Sequence, residues 1–267
     1  MSIWDSIILG VVQGFTEFLP VSSSGHLVVM EHFLGLKFQS LTFEVIVHFG
    51  TFLAVVIAFR KEIISLIIGF FRGLFSKNVI SNIKLDSDFR VAVYIIIGTI
   101  PAVIVGLFLK DQILAIFHNL NLVGITLIIT GVILFITRII YIGNKRVSLL
   151  SSVIVGISQA FAVLPGISRS GVTISTGLFM GLSRTEAVKF SFLLSLPAIL
   201  GANVLELMQV GNEESSIPFL FYLVGFVSAF ISGFIAIKVL IKMVQTGRFS
   251  LFSIYCISLG ILILIFL

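Results

Sequence analysis

Glu17, Ser22, Ser23, Ser24 and His26 lie close together in an otherwise apolar run, QGFTEFLPVSSSGH at 13–26, and Gln13 stands one helical turn before Glu17. Residues four apart share one face of a helix. Pro20 falls just past that face and loosens the backbone. Three hydroxyls, Gly25 and an imidazole follow. A carboxylate, serines and a histidine are the parts of an activated hydroxyl nucleophile. The plainer alternative is that the serines cap a helix and Glu17 bonds to nearby backbone. In a soluble loop that alternative prevails. Inside an apolar segment an ionisable side chain is costly, and its presence points to function.

A second run, PGISRSG at 165–171, sets Arg169 between Ser168 and Ser170, with Gly171 behind them. Of the 17 lysines and arginines, Arg169 alone is expected deep in the membrane. Its planar fork suits two phosphate oxygens at once, and it keeps its proton. The structural alternative is an ion pair with Glu17, which a substrate anion would break. Glu44 and His48, four apart, are candidates for a second layer around the same cavity. Arg184 and Lys189 are expected to mark a membrane boundary, His32 and His118 to sit at interfaces, and Glu213 and Glu214 to lie in a solvated loop.

The elements that position these groups follow from composition. Of 267 residues, 58% are hydrophobic and 11% charged, against roughly half apolar and a quarter charged in a soluble domain. Lipid must therefore be the solvent for most of the surface. The single cysteine, Cys256, excludes a disulfide framework and a thiol metal cluster. The net charge of +5 is spread through short loops, which fits membrane topology better than nucleic-acid binding. The N-terminal run lacks a basic leader and carries Asp5, so it reads as mature protein rather than a signal peptide.

The sequence predicts an all-α integral membrane protein forming one membrane domain over 1–267. Six stretches, about 42–59, 90–109, 121–141, 186–208, 217–240 and 250–267, are long and apolar enough to span a bilayer. Two more, about 3–35 and 150–181, are broken by proline, glycine and serines, and read as re-entrant helix–loop–helix hairpins. The stretch 60–77 reads as a basic amphipathic helix resting on the inner leaflet. With this layout nearly all lysines and arginines fall on one side, Lys37 and Lys110 being the exceptions, so the rich side is expected to be cytoplasmic. The two hairpins then enter from opposite faces. They also resemble each other at an offset of 146 residues: Gly10, Gln13, Phe15, Ser22, Ser24 and Gly25 match Gly156, Gln159, Phe161, Ser168, Ser170 and Gly171. An inverted repeat, about 1–142 and 150–267, is the expectation. Such repeats bring helix N-termini together near the midplane, where they favour an anion.

The two motifs at 13–26 and 165–171 resemble the signature segments of the bacterial undecaprenyl-diphosphatase family, also called the bacitracin-resistance protein family, and the likeness extends over essentially the whole chain. The resemblance implies hydrolysis of undecaprenyl pyrophosphate to undecaprenyl phosphate and inorganic phosphate, recycling the lipid carrier of cell-wall synthesis in the bacterial plasma membrane. It places the family's second acidic position on Glu17, its paired serines on Ser22 and Ser23, its histidine on His26 and its arginine on Arg169. Many members carry glutamate where this chain has Gln13, and threonine where it has Ser24. A mechanism or metal site needing both acids finds no second carboxylate here.

The expected site therefore has Glu17, Ser23, His26 and Arg169 as catalytic residues. Ser23 is the expected nucleophile, with His26 or Glu17 taking its proton; direct attack by water, with no covalent step, is the open alternative. Gln13, Ser22, Ser24, Gly25, Ser168, Ser170 and Gly171 are expected to bind the substrate. No fixed cofactor is expected; a divalent cation, magnesium or calcium, would arrive with the pyrophosphate, with Glu17 as its one candidate protein ligand. The active site is expected to open on the outer face. The alternative reading is a secondary transporter or flippase for an anionic lipid, since inverted repeats with broken helices also build transporters.

Overall fold

The computed structural model describes residues 1–34, 41–76, 86–117, 119–140, 142–210 and 218–266. Lys37, Lys77, Lys84, His118, Glu213 and Glu214 lie outside the described residues, as do the side chains of His32 and Lys110.

The described chain is all-α. The first hairpin is α1 (Ile3–Phe18) and α2 (Ser23–Leu34). After it come α3 (Leu41–Ala58), α4 (Arg60–Leu74), α5 (Ser87–Phe108), a short α6 (Lys110–Ile116) and α7 (Leu120–Ile136). The second hairpin is α8 (Leu149–Phe161) and α9 (Arg169–Phe179), followed by α10 (Arg184–Val210), α11 (Phe219–Gln245), a 3-10 turn at Phe249–Leu251 and α12 (Phe252–Phe266). Among the described residues four helices are long and apolar enough to cross a membrane, α5, α10, α11 and the run Phe249–Phe266, and α3 joined to α4 supplies a fifth. With α7, these account for the six expected spans. The short α6 was not foreseen.

Helix ends follow local chemistry. Ser2 and Asp5 form a reciprocal capping box on α1. Asn119 accepts from the Leu122 amide, 3.1 Å away, and starts α7. Ser183 accepts from the Glu186 amide at the start of α10. Pro218 stands at the N-cap of α11.

Both broken segments are hairpins. The arms α1, 16 residues, and α8, 13 residues, reach about 24 and 20 Å at 1.5 Å per residue, short of a hydrocarbon core about 30 Å thick. Each packs on a long helix from the other half: α1 on α11, and α8 on α5. The approach is close because small residues line it. A Cβ on Gly10 would meet the Gly225 carbonyl, and one on Gly156 would meet the Gly98 carbonyl. The two glycines stand at the repeat offset, and exchange of packing partners between halves is what an inverted repeat produces. Between the hairpins lies a core that includes Phe18, Val55, Ile174, Phe190, Leu194 and Ile237.

Helix α4 bends away from α3 by 79°. It buries Gly69 and Gly73 against the start of α5 and exposes Ile64, Ile67, Ile68 and Phe71. This is the geometry of an amphipathic helix lying across the ends of its neighbours. Glu62 of α4 pairs with Lys189 of α10 at 3.4 Å, Arg72 with Asp86 before α5 at 3.8 Å, and Arg184 donates to the Gln245 carbonyl at the end of α11. The C-terminus of α3, the N-termini of α5 and α10 and the C-terminus of α11 thus share one basic end of the bundle.

Candidate active site

The two hairpin turns meet in the interior. Ser22, at φ 67°, holds a left-handed backbone conformation rare for a residue with a side chain, a strain that persists only where surroundings over-determine it. Here they do. Ser22 Oγ accepts from the Gly25 amide at 3.3 Å and lies 3.2 Å from Ser24 Oγ. The second turn repeats this chemistry at the same offset: Ser168 Oγ accepts from the Gly171 amide at 3.2 Å and lies 3.3 Å from Ser170 Oγ. Two serines that the sequence assigns to substrate are therefore also helix caps.

The turns are tied together and to the bundle. The Gly166 amide donates to Ser24 Oγ at 3.4 Å. Gly166 itself has φ 86° and no room for a Cβ, which would strike Thr126. Thr126 donates to the Pro165 carbonyl at 2.6 Å. Thr130 donates to the Gly166 carbonyl at 3.2 Å and accepts from the Ser168 amide at 3.2 Å. On the other hairpin, the Cys256 thiol lies 3.2 Å from the Pro20 carbonyl. Helices α7 and α12 act as the backing of the two turns.

At the meeting point Glu17 collects the polar groups. Its side chain is 1% exposed. Arg169 Nη2 donates to Glu17 Oε1. Ser23 Oγ donates to Glu17 Oε2 at 2.8 Å, and Gln13 Nε2 donates to the same oxygen at 3.0 Å. The second Gln13 proton goes to His48 Nδ1 at 3.1 Å, and His48 Nε2 faces Glu44 Oε1 at 4.0 Å. Gln13 thus bridges Glu17 of its own helix and His48 of α3. The four-residue spacing of Glu44 and His48 was their sequence signal, and the structure sets His48 directly against Gln13.

His26 does not join this cluster. Its Nδ1 donates to the Ser22 carbonyl at 2.8 Å, and its Nε2 lies 2.6 Å from the Tyr255 hydroxyl, with the two rings nearly parallel. Its ring nitrogens are thus directed to the turn backbone and α12, whereas Ser23 bonds to Glu17. Of the two bases expected for Ser23, His26 and Glu17, it is Glu17 that the hydroxyl meets.

Ser22, Ser23, Ser24, Ser168 and Arg169 line a cavity of about 820 Å³, together with Glu17, Glu44 and His48. Gln13, Gly25, His26, Ser170 and Gly171 are absent from its wall; they hold the turns and the cluster from behind. Away from Arg169 most of the wall is apolar, built from Ala102, Val103, Gly106 and Leu107 of α5, Phe117, and Pro197 to Leu205 of α10, with Gln159 and Asn203 as its polar members. Both long helices carry an internal proline there, Pro101 and Pro197. The apolar wall runs toward the C-termini of α5 and α10 and the N-terminus of α3, the end opposite the basic one. An anion-sized polar floor therefore opens into a hydrocarbon-lined channel. Among the described residues no three His, Cys, Asp or Glu side chains converge as a metal cage. Both Glu17 oxygens are held by protein donors.

Residues 6–262 match the family described as bacitracin resistance protein BacA. The chain belongs to that family. It is 44% identical to an undecaprenyl-diphosphatase of Korarchaeum cryptofilum, covering 99% of each chain. It is 41% identical to one from Desulforapulum autotrophicum, covering 99% of this chain and 98% of the relative. The identity is 39% to undecaprenyl-diphosphatase 1 of Bacillus cereus, covering 98% of this chain and 96% of the relative. In this member of the BacA family Glu17 joins Ser23 and Arg169 across the two hairpins.

Proposed function

We propose that the chain hydrolyses undecaprenyl pyrophosphate to undecaprenyl phosphate and inorganic phosphate in the cavity between the hairpins. The observation that carries this reading is the contact of one buried carboxylate with a serine hydroxyl from the first hairpin and a guanidinium from the second. A binding site for an anionic lipid needs the cation and the apolar channel. It has no use for a hydroxyl bonded to a buried carboxylate, and a nucleophile does.

In the proposed mechanism the terminal phosphate draws Arg169 away from Glu17, exchanging one anion for another. The guanidinium then neutralises charge on the transferring phosphoryl group, where most of the catalytic effect of phosphoryl-transfer enzymes arises. The freed Glu17 accepts the Ser23 proton as Ser23 Oγ bonds to the terminal phosphorus. The bond from that phosphorus to the bridging oxygen breaks, and undecaprenyl phosphate leaves with the electron pair. Water then attacks the phosphoserine, Glu17 returns its proton to the departing Ser23 Oγ, and the inorganic phosphate leaves with both water protons. Gln13 fixes the rotamer of Glu17, and His48 holds Gln13 in place. A divalent cation bound to the pyrophosphate would supply further charge neutralisation, with Glu17 as its one candidate protein ligand.

The basic end of the bundle faces the cytoplasm in this proposal, by the excess of lysine and arginine there. The cavity then opens on the outer side of the bacterial plasma membrane, and the two repeats, 1–142 and 150–267, have opposite orientation. Phosphate release from undecaprenyl pyrophosphate by the purified protein in detergent tests the proposal. Steady release that is lost in Arg169→Ala supports it. Binding of the lipid without release by the wild type would instead mark a transporter.

A further inference from the structure

Two amide side chains are buried in the cavity wall with donors that meet no acceptor. Gln159 and Asn203 are each 2% exposed, and both line the cavity that holds Glu17, Ser23 and Arg169. Among the described residues neither amide atom of Gln159 has a hydrogen-bond partner, and neither does Asn203 Nδ2. Buried amides are almost always paired, because water bonds surrendered on folding have to be replaced.

The repeat explains how Gln159 came to be unpaired. Gln159 stands at the offset of Gln13, whose nitrogen serves Glu17 and His48. The same offset carries Glu17 to Val163 and His48 to Leu194. The second half has kept the amide and has apolar side chains where both acceptors would be. Gln13 of the first hairpin gives its donor protons to Glu17 and His48; Gln159 of the second hairpin and Asn203 of α10 hold donors without acceptors beside the same cavity.

We infer that Gln159 and Asn203 bind the phosphate that remains attached to the lipid, an inference that rests on the diphosphatase reading above. Arg169 and Ser23 serve the terminal phosphate. The hydrocarbon lies along the wall from Pro197 to Leu205, which contains Asn203, so the phosphate bonded to that hydrocarbon passes this amide. Negative charge develops on this group as the bridging bond breaks. Neutral donors stabilise that charge while still letting a monophosphate product go, which a second arginine would retain.

The test uses the full chain in detergent, with farnesyl phosphate as the probe for the lipid-linked phosphate and inorganic phosphate as the probe for the terminal one. Titration calorimetry measures both affinities directly, independent of turnover. Gln159→Met and Asn203→Leu are each expected to weaken farnesyl phosphate about tenfold, the scale of one lost hydrogen bond to a charged group, and to leave inorganic phosphate unchanged. Both variants should melt at or above the wild-type temperature, since each removes an unpaired buried amide. Gln159→Glu adds a negative charge and should weaken farnesyl phosphate further. Unchanged farnesyl phosphate affinity in both variants overturns the inference. So does an equal loss for both probes, or a fall in melting temperature with no selective loss, which would mark a structural role. Failure of the wild type to release phosphate from undecaprenyl pyrophosphate would sink the diphosphatase reading instead, and the two failures are separately visible.

Discussion

Removing Arg169 should damage folding and chemistry by separable amounts. Glu17 is 1% exposed on its side chain and Arg169 25%, so Arg169→Met leaves a carboxylate in a desolvated site without its cation. Breaking a buried pair in this way costs about 3–5 kcal/mol. At about 2–4 °C per kcal/mol for a chain of this size, the melting temperature in detergent should fall by roughly 6–20 °C. Loss of the guanidinium from the transferring phosphoryl group should cost a further factor of about 10²–10³ in kcat, the scale of a deleted electrostatic donor. The double variant Glu17→Gln/Arg169→Met removes the charge conflict. It should recover most of the melting temperature and none of the activity. Thermal melts and phosphate release, measured on the same preparations, give both readings. A double variant that melts no higher than Arg169→Met, or an Arg169→Met protein turning over within a few-fold of wild type, would refute the reasoning.

Other outcomes follow from the same contacts. Thr130→Val removes the hydroxyl that bonds the Gly166 carbonyl and the Ser168 amide; it should cost about 1–2 kcal/mol of stability and lower kcat with KM nearly unchanged, checked by melts and steady-state kinetics. Tyr255→Phe removes the bond to His26 and should cost about 1 kcal/mol while leaving kcat within a few-fold, because His26 faces away from Ser23. Gly156→Val drives a side chain into the Gly98 carbonyl and should separate α8 from α5, seen as loss of monodisperse protein on size exclusion. A chelator should suppress turnover without lowering the melting temperature of the ligand-free protein, since the proposed cation comes with the substrate; a lower melting temperature would mean a resident ion.

The parts of the site that were legible in the sequence are those that violate membrane chemistry. Glu17 and Arg169 stand out because an apolar run cannot carry them without a partner, and the serine clusters stand out because they interrupt helices. The hairpins were legible for the same reason, together with the repeat of small residues that lets α1 and α8 approach their partners. What escaped the sequence depends on tertiary neighbours. Tyr255 is one of four tyrosines, and nothing in its own segment directs it toward His26. Thr126 and Thr130 look like ordinary threonines bonding their own helix, and Thr126 does so as well; their second bonds to the hairpin appear only on packing. The orphaned amide of Gln159 was visible as a repeat match, but its lack of partners needed Val163 and Leu194 to be placed around it.

Rapid-quench analysis of the purified protein with undecaprenyl pyrophosphate labelled on its terminal phosphate bears most directly on the proposed chemistry. Label should appear on Ser23 within the first turnover, disappear on chase with unlabelled substrate, and be absent from Ser23→Ala, which should also release no phosphate. Wild-type rates of phosphate release by Ser23→Ala, with no label on the protein at any time, would contradict the account.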